Sequence, residues 1–416
     1  MEVLRRAITP AFEAALTDTP VVVLNGARQV GKTTLIRSLS YPGSSQIVTL
    51  DEAASREAAR LDPRAFVDRR VGTLVIDEAQ LEPALFRAVK AEVDRDRRPG
   101  RFVLTGSSRL LSAPDMADAL VGRVETLELW PFSQGELAGN ADSFVDVAFE
   151  DPRRLFRSRG IPREQLVGRV LAGGFPEAIH RSRARRRSWF DSYATTVSQS
   201  VIRELASIER LAEIPRMLRL CAARTATELN LSGVASELGI PARTVDGYFA
   251  LLATAFLVQL VPAWSTNLSS KVVRRPKLFV LDSGLAAHLL GASPTELERI
   301  NSPALGSLLE TFVAGELRRQ LTWSPVPATL WHFRDRGGPE VDLVLEHADG
   351  RIVGVEVKAT STPRAVHLRG LRFLADRLGD RFHFGVLLTA AAEAVPFGDR
   401  MAAVPVSSLW ETGGIA

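Results

Sequence analysis

The sequence has little cysteine and no long apolar run, and both absences limit what the protein can be. Its 416 residues contain one cysteine, Cys221, which excludes a disulfide framework and an all-cysteine metal site. No stretch approaches the roughly 18 consecutive apolar residues of a membrane-spanning helix, and the first residues, MEVLRRAITP, lack the apolar core of a signal peptide. The sequence therefore predicts a cytoplasmic protein with no membrane partner.

The composition predicts a folded protein rather than a disordered or fibrous one. Hydrophobic residues make up 46% of the chain and charged residues 24%, both near the globular average. The length corresponds to roughly two or three domains. The net charge is only +4, but five arginines occur within the segment 181–187. Such a cluster indicates a polyanionic partner more strongly than the net charge does.

A phosphate-binding loop follows the first strand-like run. Residues 21–24, VVVL, are typical of a strand buried on both faces, and residues 34–39 favour a helix. Between them, GARQVGKT places Lys32 to neutralise the β- and γ-phosphates of ATP and Thr33 to bind Mg²⁺. Loop N–H groups and the positive end of the helix are expected to hold the phosphates. The predicted nucleotide-binding residues of this loop are Gly26, Ala27, Arg28, Gln29, Val30, Gly31, Lys32, Thr33 and Thr34.

Two further buried strands are expected to bring polar groups to the same nucleotide. Residues 73–76, TLVI, end in Asp77 and Glu78. Asp77 is predicted to hold Mg²⁺ through water, and Glu78 to polarise the attacking water. The next strand ends in Thr105 and Ser107, where AAA+ ATPases carry a polar sensor of the γ-phosphate. Ordinary turn chemistry explains the same hydroxyl residues equally well.

Two other residues resemble functional elements of AAA+ ATPases. Arg123 lies immediately before the last strand of the core, where an arginine finger can reach the γ-phosphate of a neighbouring subunit. Pro176 belongs to the segment GGFP, which resembles the lid element by which some AAA+-like ATPases touch the nucleotide. The alternatives are an arginine that caps a helix C-terminus and a proline that starts a helix.

The middle of the chain predicts a helical lid, the arginine cluster and a winged helix. Residues 231–252 have the apolar spacing and the glycine turn of a helix-turn-helix, and strand-like runs at 256–261 and 277–281 flank a basic hairpin tip. The arginines either face solvent or contact DNA phosphates, and the winged helix either binds DNA, mainly through its wing, or is structural. The candidate DNA contacts are Arg181, Arg183, Arg185, Arg186, Arg187, Arg243, Lys271, Arg274 and Arg275.

The last third carries acids and a lysine in a nuclease-like pattern. Residues 338–346 and 351–358 predict a hairpin in which Glu356 and Lys358 share a face and Asp342 comes from the partner strand. In such a site carboxylates hold Mg²⁺, the metal activates water, and the lysine steadies negative charge during phosphodiester hydrolysis. The alternatives are a site that keeps its acids for binding alone and a surface hairpin with ordinary exposed charges.

Together these motifs resemble a widespread prokaryotic family that joins an AAA+ ATPase to a C-terminal domain of unknown function (DUF4143 type) with a PD-(D/E)XK nuclease-like fold. The resemblance spans nearly the whole chain, includes KLFVLDSGL at 277–285, and adds Glu310 to the predicted metal ligands. One departure is that Val341 precedes Asp342 where some such nucleases carry a Pro-Asp pair. The resemblance implies ATP hydrolysis, a homo-oligomer such as a hexameric ring, and action on DNA.

The expected architecture is therefore α/β with four parts. These are a P-loop AAA+ parallel-sheet core at 1–163, a helical lid at 164–215, a winged helix and connection at 216–300, and an α/β restriction-endonuclease-like domain at 301–416. The predicted function is a DNA-binding motor that uses ATP and Mg²⁺ and whose C-terminal domain grips DNA, with cleavage left open. Two alternatives remain: a nucleotide-dependent regulatory switch with an inactive nuclease fold, and a translocating or branch-migrating motor that does not cleave.

Overall fold

The structure of the protein is a computed structural model that describes residues 4–68, 72–110, 118–140, 142–204, 214–265, 275–299, 302–335 and 338–411. The chain divides into two structural units. One unit consists of Arg5–Pro131 together with Thr254–Phe256. The other consists of Met1–Leu4, Phe132–Ala253 and Leu257–Ala416.

The first unit contains a five-stranded parallel sheet. Its strands are β1 (Val21–Asn25), β2 (Ser45–Thr49), β3 (Thr73–Asp77), β4 (Phe102–Gly106) and β5 (Val124–Glu128). They lie in the order β2-β3-β4-β1-β5, and every neighbouring pair is parallel. Strands β1, β3 and β4 are buried along their whole length, as their unbroken apolar runs predicted. Because β4 lies between β1 and β3, the carboxyl ends of these three strands meet at one edge, where parallel sheets bind ligands.

Helices alternate with these strands along the chain. Those described in the first unit are α1 (Thr9–Asp18), α2 (Lys32–Ser38), α3 (Ala53–Leu61), α4 (Pro63–Val67) and α5 (Ala84–Arg95), with a 3₁₀ turn at Ala79–Leu81. Phe66 of α4 and Phe86 and Val89 of α5 pack into a core with Leu74 and Leu104 of the sheet. Burying aromatic and aliphatic side chains contributes about 1.5–3 kcal/mol each. This core fixes the strands whose ends carry the predicted nucleotide site.

The second unit begins with helices. They are α6 (Gln134–Ala138), α7 (Phe144–Glu150), α8 (Arg163–Ala172), α9 (Pro176–Ile179), α10 (Arg183–Glu204) and α11 (Ile214–Ala223), with a 3₁₀ segment at Pro152–Arg157. The next elements are β6 (Thr227–Glu228), α12 (Leu231–Leu238), α13 (Ala242–Thr254), β7 (Val258–Val261) and β8 (Lys277–Val280). The helices and the two strands predicted for this stretch are therefore present. Strand β8 pairs antiparallel with both β6 and β7. Lys271 and Arg274 lie outside the described residues.

A six-stranded mixed sheet follows in the same unit. Its elements are α14 (Ser283–Leu289), α15 (Pro294–Leu297), α16 (Pro303–Gln320), β9 (Ala328–Arg334), β10 (Glu340–His347), β11 (Ile352–Lys358), α17 (Arg369–Leu378), β12 (Phe382–Thr389), β13 (Val395–Pro396), β14 (Met401–Pro405) and α18 (Ser408–Glu411), with 3₁₀ turns at Ala365–Leu368 and Gly379–Arg381. The strand order is β13-β14-β12-β11-β10-β9. The predicted hairpin is confirmed, because β10 and β11 pair antiparallel with Leu343 opposite Val355. Strand β12 lies parallel beside β11, as Leu387 and Leu388 suggested.

Leu371 and Leu374 of α17 pack with Ile352, Phe382 and Leu387 of the sheet, which gives this part of the chain an apolar core of its own. Among the residues that the structure describes, no helix has both the length and the apolar content needed to cross a bilayer.

Candidate functional site

The loop between β1 and α2 has a backbone suited to phosphate binding. Gln29 and Gly31 have φ angles of +66° and +96°, and Gly31 is the N-cap of α2. A Cβ atom on Gly26 would lie 2.3 Å from the carbonyl oxygen of Leu129, so a side chain cannot be accommodated there. A curl of this kind turns loop N–H groups toward a common anion. Ala27 and Val30 are buried, whereas Thr34 is exposed on α2.

Lys32 lies across this loop. Its ammonium donates to the carbonyl oxygens of Gly26 (2.9 Å) and Ala27 (3.0 Å), and the residue is 6% exposed. A buried arginine that the sequence analysis missed supports the same loop. Arg6 donates to the carbonyl oxygens of Val30 (2.9 Å) and Trp130 (2.6 Å). Because Arg6 precedes the loop by twenty residues and belongs to no motif, only the folded structure identifies it.

The Mg²⁺ ligands predicted for the nucleotide site, Thr33 and Asp77, lie together at the carboxyl end of the five-stranded sheet. The Thr33 hydroxyl donates to Oδ2 of Asp77 at 2.9 Å. The Thr105 hydroxyl donates to Oδ1 of the same carboxylate and accepts from the N–H of Glu78 at 3.2 Å. Thr33 and Asp77 thus present a hydroxyl and a carboxylate side by side, the hard oxygen ligands that suit Mg²⁺ bound to a nucleotide. Thr105 orients both acidic residues of the site.

Glu78 is held in an uncommon backbone conformation. Its φ is +58°, in the left-handed region that non-glycine residues seldom occupy, and such strain gathers at functional sites. Gln80 donates one hydrogen bond to Oε2 of Glu78 and another, of 3.1 Å, to the hydroxyl of Ser107. Gln80, to which the sequence analysis gave no role, therefore fixes the side chain of Glu78, and Ser107 contributes to this support.

Arg123 immediately precedes β5. Because β5 is parallel to β1, Arg123 lies at the amino end of these strands, whereas the phosphate-binding loop lies at their carboxyl end. Its guanidinium pairs with Asp94 of α5 at 2.6 Å and donates to the carbonyl oxygen of Val121 at 2.9 Å. The side chain is 23% exposed. The structure thus separates Arg123 from its own loop, and its role as a finger stays a prediction.

The GGFP segment joins two parts of the second unit. The N–H of Gly174 donates to Oδ2 of Asp282 at 2.8 Å, and the carbonyl oxygen of Gly174 accepts a 2.8 Å hydrogen bond from the N–H of Phe132. Cβ atoms on Gly173 and Gly174 would lie 2.0 Å from Oδ1 of Asp282 and 2.1 Å from the carbonyl oxygen of Phe132. These contacts explain both glycines structurally. Pro176 lies in the first turn of α9, and its contact with the nucleotide stays a prediction.

The arginine cluster divides into structural and exposed members. Arg186 donates to the carbonyl oxygens of Ala178 (3.0 Å) and Arg181 (3.1 Å), and burial lowers its pKa. Arg181 pairs with Glu177 at 3.1 Å. These contacts stabilise the end of α9, where carbonyl groups lack helical partners. The exposed members of the cluster are Arg183, Arg185 and Arg187, and Arg243 and Arg275 are exposed elsewhere in the unit.

A cavity of about 1220 Å³ borders the exposed arginines. Its lining includes Arg183 and Arg187 of α10, Arg219 of α11 and His288 of α14. Asp191 also lines it, and its carboxylate lies 3.1 Å from Nε2 of His288. Arginines therefore dominate the charge of this cavity, which favours an anionic ligand.

The residues predicted to form a nuclease-like site lie close together, with one lysine that was given no role. Lys358 lies 2.6 Å from Oε1 of Glu356 and 3.5 Å from Oδ2 of Asp342. The N–H of Val357 donates to Oδ2 of Asp342 at 2.9 Å. Lys277, the first residue of the KLFVLDSGL motif, contacts Oε1 of Glu310 and lies 3.4 Å from Oδ1 of Asp342. We call Lys277, Glu310, Asp342, Glu356 and Lys358 the C-terminal charge cluster.

Burial and crowding change the acidity of this cluster. Burial, followed by the charge of Asp342, raises the pKa of Glu310 to about 8 and that of Glu356 to about 7. Burial acts to lower the pKa of both lysines, but the neighbouring carboxylates together outweigh it and raise the pKa of each. The two lysines thus remain charged at neutral pH, and they only partly offset the repulsion among the carboxylates.

The C-terminal charge cluster consists of ion pairs rather than of a ready metal shell. No group of three or more histidine, cysteine, aspartate or glutamate side chains within the described ranges has an arrangement that could hold a metal ion. The ammonium groups of Lys277 and Lys358 stand among the predicted ligands Glu310, Asp342 and Glu356. The metal-binding role of these acids therefore stays a prediction, and this arrangement does not fit it.

Three family models match the chain. An AAA domain matches residues 18–138. Two domains of unknown function match residues 163–296 (DUF8612) and 305–409 (DUF4143). The first match confirms the nucleotide-binding AAA+ core and the last confirms the predicted C-terminal family. The sequence analysis did not predict a separate family domain for the middle of the chain.

Relatives resemble the chain over its full length. Uncharacterized proteins of Mycobacterium tuberculosis and Mycobacterium bovis are each 30% identical over 422 residues, which cover 100% of this chain and 86% of the relative. A Walker-type ATPase of Pyrococcus abyssi is 16% identical, over 69% of this chain and 96% of its own, with a TM-score of 0.40. From the full-length similarity and the domain matches, the chain belongs to the family that joins an AAA domain to a C-terminal DUF4143 domain.

Proposed function

We propose that the protein is a Mg²⁺-dependent ATPase that works as a DNA-binding motor, assembled as a homo-oligomer. The observation that carries the proposal is the pairing of Thr33 with Asp77 at 2.9 Å, with Glu78 beside them at the same edge of the sheet. Phosphoryl transfer needs little more from a protein than positioned charge, a metal and an oriented water.

In this proposal each polar residue of the nucleotide site has its own role in binding or hydrolysis of ATP. Lys32 binds the β- and γ-phosphates, and the loop N–H groups hold their oxygens. Thr33 and Asp77 hold the Mg²⁺, which neutralises phosphate charge when bound. Glu78 accepts a hydrogen bond from the attacking water, and Gln80 keeps its carboxylate in place. Thr105 transmits the presence of the γ-phosphate because it contacts Asp77 and the N–H of Glu78.

DNA contact is proposed for the second unit. Arg183, Arg185 and Arg187 are exposed on one helix, and the adjoining cavity adds Arg219. Guanidinium groups in such an array bind backbone phosphates without reading sequence. The order helix–strand–two helices–two strands from α11 to β8 supports a winged helix, whose exposed Arg243 and Arg275 add further positive charge. Arg186 is left out, because its donors already bind carbonyl groups.

ATP turnover by variants tests the ATPase. Lys32→Ala should abolish ATP binding in a fluorescent-nucleotide titration. Glu78→Gln should keep binding and lower kcat by roughly 10²–10³-fold, since it keeps the shape of the side chain and removes the base. Glu57→Gln, on the exposed side of α3, is the matched control and should behave as the wild type. Equal turnover by wild type and Glu78→Gln would refute the assignment.

DNA binding needs its own assay. ATP turnover with single-stranded, duplex and branched DNA should rise with at least one of them, and an unchanged rate with all three would exclude the motor. Replacing Arg183, Arg185 and Arg187 by alanine should weaken duplex binding and lower the log–log salt slope by about 2–3. The charge-matched control replaces Arg60, Arg64 and Arg87, which are exposed on α3, α4 and α5.

The position of Lys277 favours a second candidate function. An ammonium group among the acids suits a C-terminal domain that binds DNA or protein without cutting, as in a nucleotide-dependent switch or a non-cleaving translocase. DNA-stimulated ATP turnover separates the two motors from the switch. Cleavage that Asp342→Ala or Lys358→Ala abolishes, with ATP turnover intact, separates a cleaving motor from a non-cleaving one.

A further inference from the structure

Lys277 brings a second ammonium group into the C-terminal charge cluster from another sheet. It begins β8, which pairs with β6 and β7, whereas Asp342, Glu356 and Lys358 belong to β10 and β11. The ammonium contacts Glu310 of α16 and lies 3.4 Å from Asp342. The side chain of Lys277 is only 9% exposed. These two carboxylates therefore offset most of the free-energy cost of removing its ammonium from water.

The two lysines of the cluster hold different positions. Lys358 lies on the same strand as Glu356, pairs with it, and keeps 38% of its side chain exposed. Lys277 is buried and bridges Glu310 and Asp342, which come from two different elements. A divalent cation bound by both of those carboxylates would need the space between their oxygens. The ammonium of Lys277 is in that space, and two cations cannot share it.

The ion pairs leave one acid partly unsatisfied. Oε2 of Glu356 is buried and accepts no hydrogen bond within the described part of the chain, although the residue is only 6% exposed. A buried carboxylate oxygen without a donor is uncommon and suits a ligand that the protein does not itself supply. Lys277 and Lys358 together place two ammonium groups among three carboxyl groups. Without the charge of Lys277, only Lys358 would remain among them, and the space between Glu310 and Asp342 would be open to a divalent cation.

We propose that Lys277 takes the place of a divalent cation in the C-terminal charge cluster, and that this cluster binds Mg²⁺ only when Lys277 is withdrawn. The inference rests on the proposed function for the kind of ion involved. According to this proposal, the three acids alone do not make a metal site, because the position of Lys277 decides whether a metal can bind. It also gives the KLFVLDSGL motif a role at its first residue, while Asp282 of the same motif binds the N–H of Gly174.

The test is a Mn²⁺ titration of the full-length protein without nucleotide, with free Mn²⁺ measured by electron paramagnetic resonance. Lys277→Met, which keeps the length and removes the charge, should bind one Mn²⁺ per chain at least tenfold more tightly than the wild type. Adding Asp342→Asn to Lys277→Met should remove that binding. Lys277→Arg and the control Lys90→Met on α5 should both behave as the wild type.

Three results would overturn the proposal. One is tight Mn²⁺ binding by the wild type that Asp342→Asn abolishes, since Lys277 would then not exclude the metal. A second is a folded Lys277→Met that binds no Mn²⁺. The third applies if Lys277→Met does not fold and Lys277→Gln is used in its place: a folded Lys277→Gln that binds no Mn²⁺. Because no nucleotide is present, failure here leaves ATP turnover and its DNA stimulation to be judged separately.

Discussion

The main-chain N–H of Gly174 donates a 2.8 Å hydrogen bond to Oδ2 of Asp282, across 108 residues of sequence. Asp282 also accepts from the N–H of Leu285 at 3.0 Å, which caps α14, and its carboxylate lies 3.6 Å from Arg319. One buried side chain thus connects the GGFP segment, the KLFVLDSGL motif and α16. Two motifs that look independent in the sequence form a single structural joint.

Removing that joint should destabilise the second unit without touching the nucleotide site. Asp282→Ala removes the acceptor of the Gly174 and Leu285 N–H groups and one of the two carboxylates beside Arg319, so we expect the free energy of unfolding to fall by about 3 kcal/mol. Urea unfolding followed by circular dichroism measures this change. Asp376→Ala, on the exposed side of α17, is the control and should change it by less than about 0.5 kcal/mol. Equal stability of the two variants would contradict the joint.

Thr105 should matter for turnover and not for nucleotide binding. Thr105→Ala removes the hydroxyl that donates a hydrogen bond to Asp77 and accepts one from the N–H of Glu78. Because both acids then lose this support, kcat should fall by roughly 10–100-fold. Thr105→Ser keeps the hydroxyl and should recover most of the rate. ATP affinity should stay within about twofold of the wild type in both. A serine variant as slow as the alanine variant would show that the hydroxyl is not responsible.

Arg123 should act on a neighbouring subunit once it leaves Asp94. Mixing wild type with Arg123→Ala should lower ATP turnover more than in proportion, because each variant subunit also impairs a wild-type neighbour. Asp94→Asn removes the 2.6 Å ion pair and should leave turnover intact or raise it. Turnover is measured against the mixing ratio at fixed total protein. A straight line through the mixing series would argue for a structural role confined to α5.

Asp142 should make stability depend on pH. Burial, with the charges of Glu316 and Glu136, raises its pKa from 3.8 to about 8, although Ser133 donates to it. The folded protein therefore keeps this proton up to about pH 8, whereas the unfolded chain releases it near pH 4. The contribution of Asp142 to the free energy of unfolding must fall as pH rises between these values.

Asp142→Asn removes this titration while it keeps the shape of the side chain. The free energy of unfolding of the variant minus that of the wild type should therefore increase by on the order of 2 kcal/mol from pH 5 to pH 8.5. Chemical denaturation at both pH values measures the difference, and Asp376→Asn supplies the exposed control. A stability difference that is the same at both pH values would mean that Asp142 does not titrate between them in the folded protein.

The sequence alone determined the parts of the protein that depend on local pattern. Unbroken apolar runs predicted the buried strands β1, β3 and β4, and the glycines around Lys32 predicted the loop, since both follow from a few adjacent residues. The alternation around Glu356 predicted the hairpin of β10 and β11. Because Asp77 and Thr105 end neighbouring parallel strands, their meeting also followed once the strands were recognised.

Only the tertiary structure decided which distant charges meet. Arg6 beneath the loop, Asp282 against Gly174 and Lys277 between Glu310 and Asp342 depend on contacts between elements far apart in sequence. A charged residue in a sequence carries no sign of whether burial will force it to find a partner. Packing decides this, because a buried charge is costly in water-free surroundings unless an opposite charge or a hydrogen bond compensates for it.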